Sequence, residues 1–356
     1  MQIKINGQTI SLAAPEPFLP ILRREKIYFP LYCGGRGTCG KCRIRITEGS
    51  LPITTEDRQF FSEDELKAGY RLGCRAVITA SCAITFEEIQ REDGFYVPPV
   101  QHAEPSVREL FHRSHVVEAY GVKPDKDSRL PDKESLSIAV DIGSTTLVMA
   151  LVYTDSGKIV TEYRGLNHQR SYGTDVMARI KAAVEDGQEQ AMQALIRQDL
   201  AEGIVSLLKS ADAPIEQIVI AGNTTMLHLL RGYDCRGLSA WPFQPVNLDF
   251  EELSTAELLG ESLLVENCLL KETKVTLIAG ISAFVGADIT AGLWGCGIAG
   301  NEKPRLFLDL GTNAEMAVGN KEGMLVSSAA AGPAFEGGQL SCGTGSIPGA
   351  VRDVRI

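Results

Sequence analysis

Four cysteines constrain this chain more than any other feature. Three lie in the run Cys33-Gly34-Gly35-Arg36-Gly37-Thr38-Cys39-Gly40-Lys41-Cys42, with five residues between the first pair and two between the second, and Cys74 follows after a gap of 31. Thiolates hold an iron–sulfur cluster only when several converge on one point. A chain achieves this locally by wrapping around that point, and Gly34, Gly35, Gly37 and Gly40 permit the wrap because glycine tolerates positive φ and close backbone approach. Their N–H groups are then available to cluster sulfurs, an interaction that tunes potential. Two rivals use the same residues. Structural zinc sites usually pair two short knuckles, whereas Cys74 is single and distant, which favours iron–sulfur over zinc. Gly35 to Cys42 reads G-x-x-x-x-G-K-C, but a phosphate-binding P-loop needs Ser or Thr where Cys42 stands.

The flanking residues predict a small β-grasp unit. Gln2–Ile5 and Thr9–Leu12 alternate around Asn6-Gly7, a hairpin signal. Phe18–Lys26 reads as a short helix and Cys42–Thr47 as a strand. Ser62-Glu63-Asp64-Glu65 is a capping box opening a helix to about Gly69, which is expected to deliver Cys74 back to the loop, and Cys82–Phe86 reads as the last strand. Residues 1–93 therefore resemble ferredoxins of the plant and adrenodoxin type, the five-residue first gap being nearer the adrenodoxin form. The resemblance implies a [2Fe–2S] cluster with Cys33 and Cys39 on one iron and Cys42 and Cys74 on the other. Cys82, Cys235, Cys268, Cys296 and Cys342 match no pattern and read as small buried hydrophobes.

The chain has 356 residues, 35 basic against 45 acidic, for a net charge of −10. That length suits two or three domains, and the charge argues against nucleic acid, whose phosphates demand clustered Lys and Arg. The N-terminus lacks the apolar core of a signal peptide, and the long uncharged stretch Leu277 to Gly300 carries Asp288 and six glycines, so it reads as a buried helix and turn. A cytoplasmic protein with no membrane segment is expected. Residues 94–135 read as a linker, with Pro98, Pro99, Pro105, Pro124 and Pro131 among many charges and one helical patch over Ser106–Ala119. His112 and His115 on that patch read as a solvated face.

Residues 136–356 open on Ser137-Ile138-Ala139-Val140-Asp141-Ile142-Gly143-Ser144-Thr145-Thr146, a strand ending at Asp141 and a turn of small residues before a second strand. A related unit recurs at Leu308-Asp309-Leu310-Gly311-Thr312-Asn313. Such turns offer N–H and hydroxyl donors to phosphate oxygens, and an Asp at the strand end can hold Mg²⁺. Two facing turns would clamp a nucleoside triphosphate from both sides. Between them strands and helices alternate: a strand over Lys158–Tyr163, helices over Gly173–Ala183 and Gln188–Lys209, a strand over Gln217–Ala221 and a helix near Asn223–Leu230. Gly295-Cys296-Gly297-Ile298-Ala299-Gly300 matches G-x-G-x-x-G but follows a helix, so the dinucleotide reading fails its context.

The second region resembles the actin, hexokinase and heat-shock ATPase superfamily, with a ribonuclease H-like fold. Joined to the [2Fe–2S] domain, it resembles the reductive activators of corrinoid proteins. Tyr172-Gly173-Thr174-Asp175-Val176, Gly222-Asn223-Thr224-Thr225-Met226, Val285-Gly286-Ala287-Asp288 and Gly332-Pro333-Ala334-Phe335-Glu336-Gly337 agree with it. The resemblance implies an α+β chain, β-grasp followed by an α/β actin-like ATPase domain. It implies ATP held by Asp141, Gly143, Ser144, Thr145, Thr146, Asp309, Gly311, Thr312 and Asn313, with Mg²⁺ between the two aspartates. It implies reduction of a Co(II) corrinoid to Co(I), coupled to ATP, with a corrinoid protein or corrinoid methyltransferase as partner, an upstream electron donor, and room for a homodimer. With about 20 residues after the Glu336 run, the ATPase-type domain is expected to be incomplete in this chain. The alternatives are an electron carrier whose second domain only docks partners, or a small-molecule kinase with a regulatory cluster.

Overall fold

The computed structural model describes residues 1–25, 27, 29, 31, 35–86, 135–260, 270–298 and 300–331. Cys33, the Ser106–Ala119 patch with His112 and His115, most of the expected linker, Cys268, the Glu336 run and Cys342 lie outside the described residues. Two compact units divide the chain: one takes in residues 1–86 with 168–182, the other residues 135–167 with 183–331.

In the first unit, Asn6 and Gly7 take φ of 45° and 95°, the left-handed pair of a tight hairpin turn. This turn joins β1 (Gln2–Ile5) to β2 (Gln8–Ser11). β3 (Glu16–Pro17) precedes α1 (Phe18–Arg24), and β4 (Arg43–Glu48), α2 (Asp57–Phe60), α3 (Glu63–Lys67), β5 (Tyr70–Leu72), β6 (Val77–Ile78) and β7 (Cys82–Thr85) complete it. The main sheet runs β2-β1-β7-β4-β5, with β1 and β7 parallel. Alternation puts Ile3, Ile5, Ile44 and Ile84 on the face where α1 sets Phe18 and Ile21, each 0–1% exposed. Such side chains contribute about 1.5–3 kcal/mol apiece. Both halves of the Ser62–Glu65 capping box form as expected. One element differs: β5, not α3, leads to Cys74, because Tyr70–Leu72 pairs with Arg43–Arg45 of β4.

The second unit opens with an antiparallel meander of β8 (Leu136–Ile142), β9 (Thr146–Tyr153) and β10 (Ile159–Leu166). After a 3₁₀ turn at His168–Tyr172 come α4 (Val176–Val184) and α5 (Glu189–Leu208). Then follow β11 (Ile215–Gly222), α6 (Thr224–Arg231), α7 (Arg236–Ser239), β12 (Glu251–Ser254), α8 (Thr255–Leu259), β13 (Lys274–Leu277) and α9 (Ala287–Gly295). The sheet order is β10-β9-β8-β11-β13-β12, with β8, β11 and β13 parallel. α5 buries Met192, Ile196, Leu200, Ile204 and Leu207, a stripe at helical spacing that meets β9, β10 and α6. β14 (Arg305–Leu310), β15 (Asn313–Asn320) and β16 (Gly323–Ala330) form a separate antiparallel sheet. Val285, Ile289, Leu293 and Ile298 pack with Ala317 and Phe307, seating that sheet on α9.

The stretch from Leu277 to Gly300 contains the end of β13 and α9, as its glycines and Asp288 suggest. Among the described residues no helix is long and apolar enough to cross a membrane.

Candidate functional sites: a cysteine loop and two facing turns

Cys42 and Cys74 meet because the backbone around them is stapled twice. Gly73 N–H donates to Cys42 O at 2.7 Å. Asp57, only 1% exposed, accepts from Leu72 N–H at 2.7 Å and from Thr54 N–H at 2.8 Å, which fixes the end of β5. The two sulfurs lie 3.2 Å apart, Cys42 donating to Cys74. That contact and then burial push the Cys42 thiol well up, with Cys39 close enough to add to the effect. Sulfurs gathered this way become thiolates only against cationic charge, which is what iron supplies.

The wrap needs its glycines. Gly35, Gly37 and Gly40 have φ of 81°, 74° and 70°. A Cβ on Gly40 would sit 2.6 Å from the Phe60 ring, and one on Gly37 would sit 2.5 Å from Arg75 Nε. Arg75 reaches back to the Arg36 carbonyl and pairs with Glu56 at 3.2 Å. The donor set and the glycine-lined loop fit an iron–sulfur cluster. Asp57 and Gly73, both absent from the sequence reading of the site, position its last ligand.

The other cysteines divide. Cys82 and Cys235 are buried, and burial raises both thiols, Cys235 to about 12. Cys296 departs from the expectation of a buried hydrophobe: it caps the C-terminus of α9 and is exposed.

In the second unit the two predicted turns come together. Ser144 Oγ donates to Thr312 Oγ1 at 3.3 Å across 168 positions of sequence. Both turns are tighter than the sequence suggested. Asp141 lies within β8, and Thr146 and Asn313 are the first residues of β9 and β15. Gly143 N–H is spent on Thr146 O at 3.0 Å and Gly311 N–H on Asn313 O at 2.9 Å. These two amides therefore shape the turns and are not the phosphate donors expected of them. Ser144, Thr145 and Thr312 carry the remaining donor capacity of the turns.

Acidic groups gather beside the turns. Gly286 is pressed onto the β11–α6 junction, where a Cβ would sit 2.6 Å from Thr224 N and 2.7 Å from Gly222 O. β11 pairs with β8, so Asp288 at the start of α9 comes near Asp141. Phe307 packs on Gly292, where a Cβ would meet its ring at 2.6 Å, and this sets β14 and β15 against α9. Asp309 and Glu315, directly opposite in the β14–β15 register, join the group. Burial, then Asp288 and Asp309, push Asp141 up to about 7. Burial and Asp309 push Asp288 up to about 6. Burial, then Asp288, push Glu315 to about 7, although Ser328 Oγ donates to it at 3.2 Å. Burial also raises Asp309. Asp141 and Asp309 keep one side open to solvent, so water screens them more than it screens Glu315, which is 7% exposed.

Asp288 and Glu315 were not assigned a role from the sequence. Among the described residues no three His, Cys, Asp or Glu side chains converge closely enough to ligate a metal alone. That suits Mg²⁺, which typically takes one or two carboxylates and completes its shell with water and phosphate oxygens.

Residues 3–79 match the family described as "2Fe-2S iron-sulfur cluster binding domain", residues 136–301 "RACo middle region", and residues 303–356 "C-terminal domain of RACo the ASKHA domain". "Corrinoid activation enzyme RamQ" of Eubacterium limosum is 29% identical over 362 residues, covering 91% of this chain and 60% of that protein. The "[Co(II) methylated amine-specific corrinoid protein] reductase" of Methanosarcina barkeri is 27% identical over 229 residues, covering 61% and 40%. Among solved structures, "Reductive activator for corrinoid,iron-sulfur protein" aligns with a TM-score of 0.52 at 22% identity, covering 96% of this chain and 65% of that one, a likeness of fold. The chain thus spans 60% or less of the length of these two curated relatives.

Proposed function

From a chain built of RACo-family domains behind a [2Fe–2S] domain, we propose an ATP-coupled electron-transfer protein that reductively activates a corrinoid protein. The observation that carries this reading is the meeting of the two small-residue turns, Ser144 to Thr312 at 3.3 Å, in the same chain as a cysteine loop fit for a cluster. Cys33, Cys39, Cys42 and Cys74 would hold the cluster. Bound there, it supplies a one-electron couple, the chemistry that takes a Co(II) corrinoid to Co(I). An upstream donor would replace each electron.

Ser144, Thr145, Thr146, Thr312 and Asn313 would orient the phosphates of ATP, with Gly143 and Gly311 shaping the turns. Asp141 and Asp309 would hold Mg²⁺, and Asp288 and Glu315 would add to the negative field that draws it. Their raised proton affinity expresses a site short of positive charge, which Mg²⁺ would relieve. A homodimer and a cytoplasmic setting are compatible with this assignment.

The test uses the iron-reconstituted chain with dithionite and a Co(II) corrinoid protein, following Co(I) formation by absorbance with and without MgATP. ATP should accelerate formation. Asp141→Ala and Asp309→Ala should abolish the acceleration while retaining the visible spectrum of the cluster. Equal rates in both variants and the wild type would remove the nucleotide role. A colourless, zinc-containing protein would remove the cluster.

A further inference from the structure

The turn at Gly143–Thr145 is held from behind by one buried residue. Asn167 is 0% exposed. Its N–H donates to Thr145 O at 3.1 Å, and its Nδ2 donates to Gly143 O at 2.9 Å and to Met226 Sδ at 3.6 Å. In a planar trans peptide the N–H opposes the C=O. Drawing Gly143 O toward Asn167 therefore aims the Ser144 N–H away from it, and holding Thr145 O does the same for Thr146. One side chain and its own amide thus set the orientation of the turn's donors.

Asn167 is also the last residue of its compact unit, and the next residue opens the segment that belongs to the unit of the cysteine loop. His168–Tyr172 is a 3₁₀ turn, a short and tightly wound connector. At its far end Ser171 O accepts from Arg23 Nη2 at 3.4 Å, and the Arg23 guanidinium lies 4.1 Å from the centre of the Tyr172 ring, a stacked cation–π contact. Tyr172 is 5% exposed. Arg23 stands one helical turn after Leu19 on α1, so the two share a face. Leu19 backs the cysteine loop, lying 3.4 Å from where a Cβ on Gly35 would be.

We propose that Asn167–Tyr172 is the element through which occupancy of the Gly143–Thr145 turn reaches the cluster domain. Asn167 is a positioning residue for the turn, and Arg23 with Tyr172 receives the signal at α1. The covalent run between the two anchors is too short to absorb a shift of the turn without passing it on. This inference rests on the reading of the turn as a phosphate site. It adds the route by which nucleotide would influence the electron carrier.

The experiment is amide hydrogen exchange on the full iron-reconstituted chain with and without MgATP, paired with equilibrium dialysis of ATP. In the wild type MgATP should slow exchange over Phe18–Arg24 by about tenfold, the scale of one added hydrogen bond. Arg23→Gln should bind ATP within about twofold of wild type yet lose the response in α1. In nucleotide-free protein, Asn167→Ser should speed exchange in α1, since a link between the sites acts in both directions.

If ATP binds and α1 does not respond, or if Arg23→Gln keeps the full response, the link is overturned while the phosphate site stands. If dialysis detects no ATP binding, the phosphate reading fails, and the Asn167→Ser comparison still decides the link: unchanged exchange in α1 overturns it.

Discussion

Glu315 offers a direct test of the acidic cleft. It is 7% exposed, faces Asp309 across the β14–β15 register, and accepts from Ser328 Oγ at 3.2 Å. Burial, then Asp288, raise its pKa from the ordinary 4.5 to about 7. Between those two values the unfolded chain has released the proton and the folded chain still holds it. The folded state therefore binds more protons, and stability falls as pH rises through that window. Below the lower value both states are protonated and the effect vanishes. A shift of this size corresponds to at most about 3 kcal/mol, reduced to about 1–3 kcal/mol by sharing among neighbouring carboxylates.

Glu315→Gln keeps the acceptor for Ser328 and removes the charge. At about pH 8 it should be more stable than wild type by about 1–3 kcal/mol, a rise of about 3–9 °C in Tm for a unit of this size. The gain should disappear near pH 4, and millimolar Mg²⁺ should narrow it at pH 8 by stabilising the wild type. Thermal unfolding followed by circular dichroism, at both pH values and with or without Mg²⁺, measures all of this. A variant no more stable than wild type at pH 8, or equally favoured at both pH values, would refute the account of the cleft as a region of frustrated negative charge.

His228 should give a second pH signature of opposite sign. It is buried, its Nδ1 faces Thr224 O at 2.8 Å and its Nε2 accepts from Val246 N–H at 2.9 Å, so a second ring proton has no acceptor. Burial holds its pKa below 6.5; its stability contribution is complete above that value and is lost as pH falls, a loss that His228→Gln should flatten in acid melts. In the cysteine loop, Gly40→Ala must place a Cβ 2.6 Å from Phe60 at a φ of 70°. Iron content and visible absorbance per chain should drop severalfold while far-ultraviolet circular dichroism is retained.

What the sequence reveals about this chain follows the range of the interactions involved. The cysteine loop was readable because its glycines and three of its ligands fall within ten residues, so local geometry decides it. The facing turns were readable as two separate hairpins for the same reason. Their meeting at Ser144 and Thr312 depends on Phe307 seating β14 against Gly292 of α9, a contact that no spacing announces. Asp288 reaches the cleft only because Gly286 lets its loop press on the β11–α6 junction. Glu315 is the instructive intermediate. With the turn centred on Gly311 and Thr312, antiparallel register alone places residue 315 opposite residue 309, so a second acid beside Asp309 could have been derived by counting across the hairpin. Asn167 could not have been found that way. It follows a strand, carries no motif, and acquires its role from two carbonyls more than twenty residues earlier. The groups that would touch nucleotide are thus local and legible, whereas those that aim and connect them come from packing. Substitutions at Asn167 and Arg23 should therefore alter coupling between the units while leaving every recognisable motif intact.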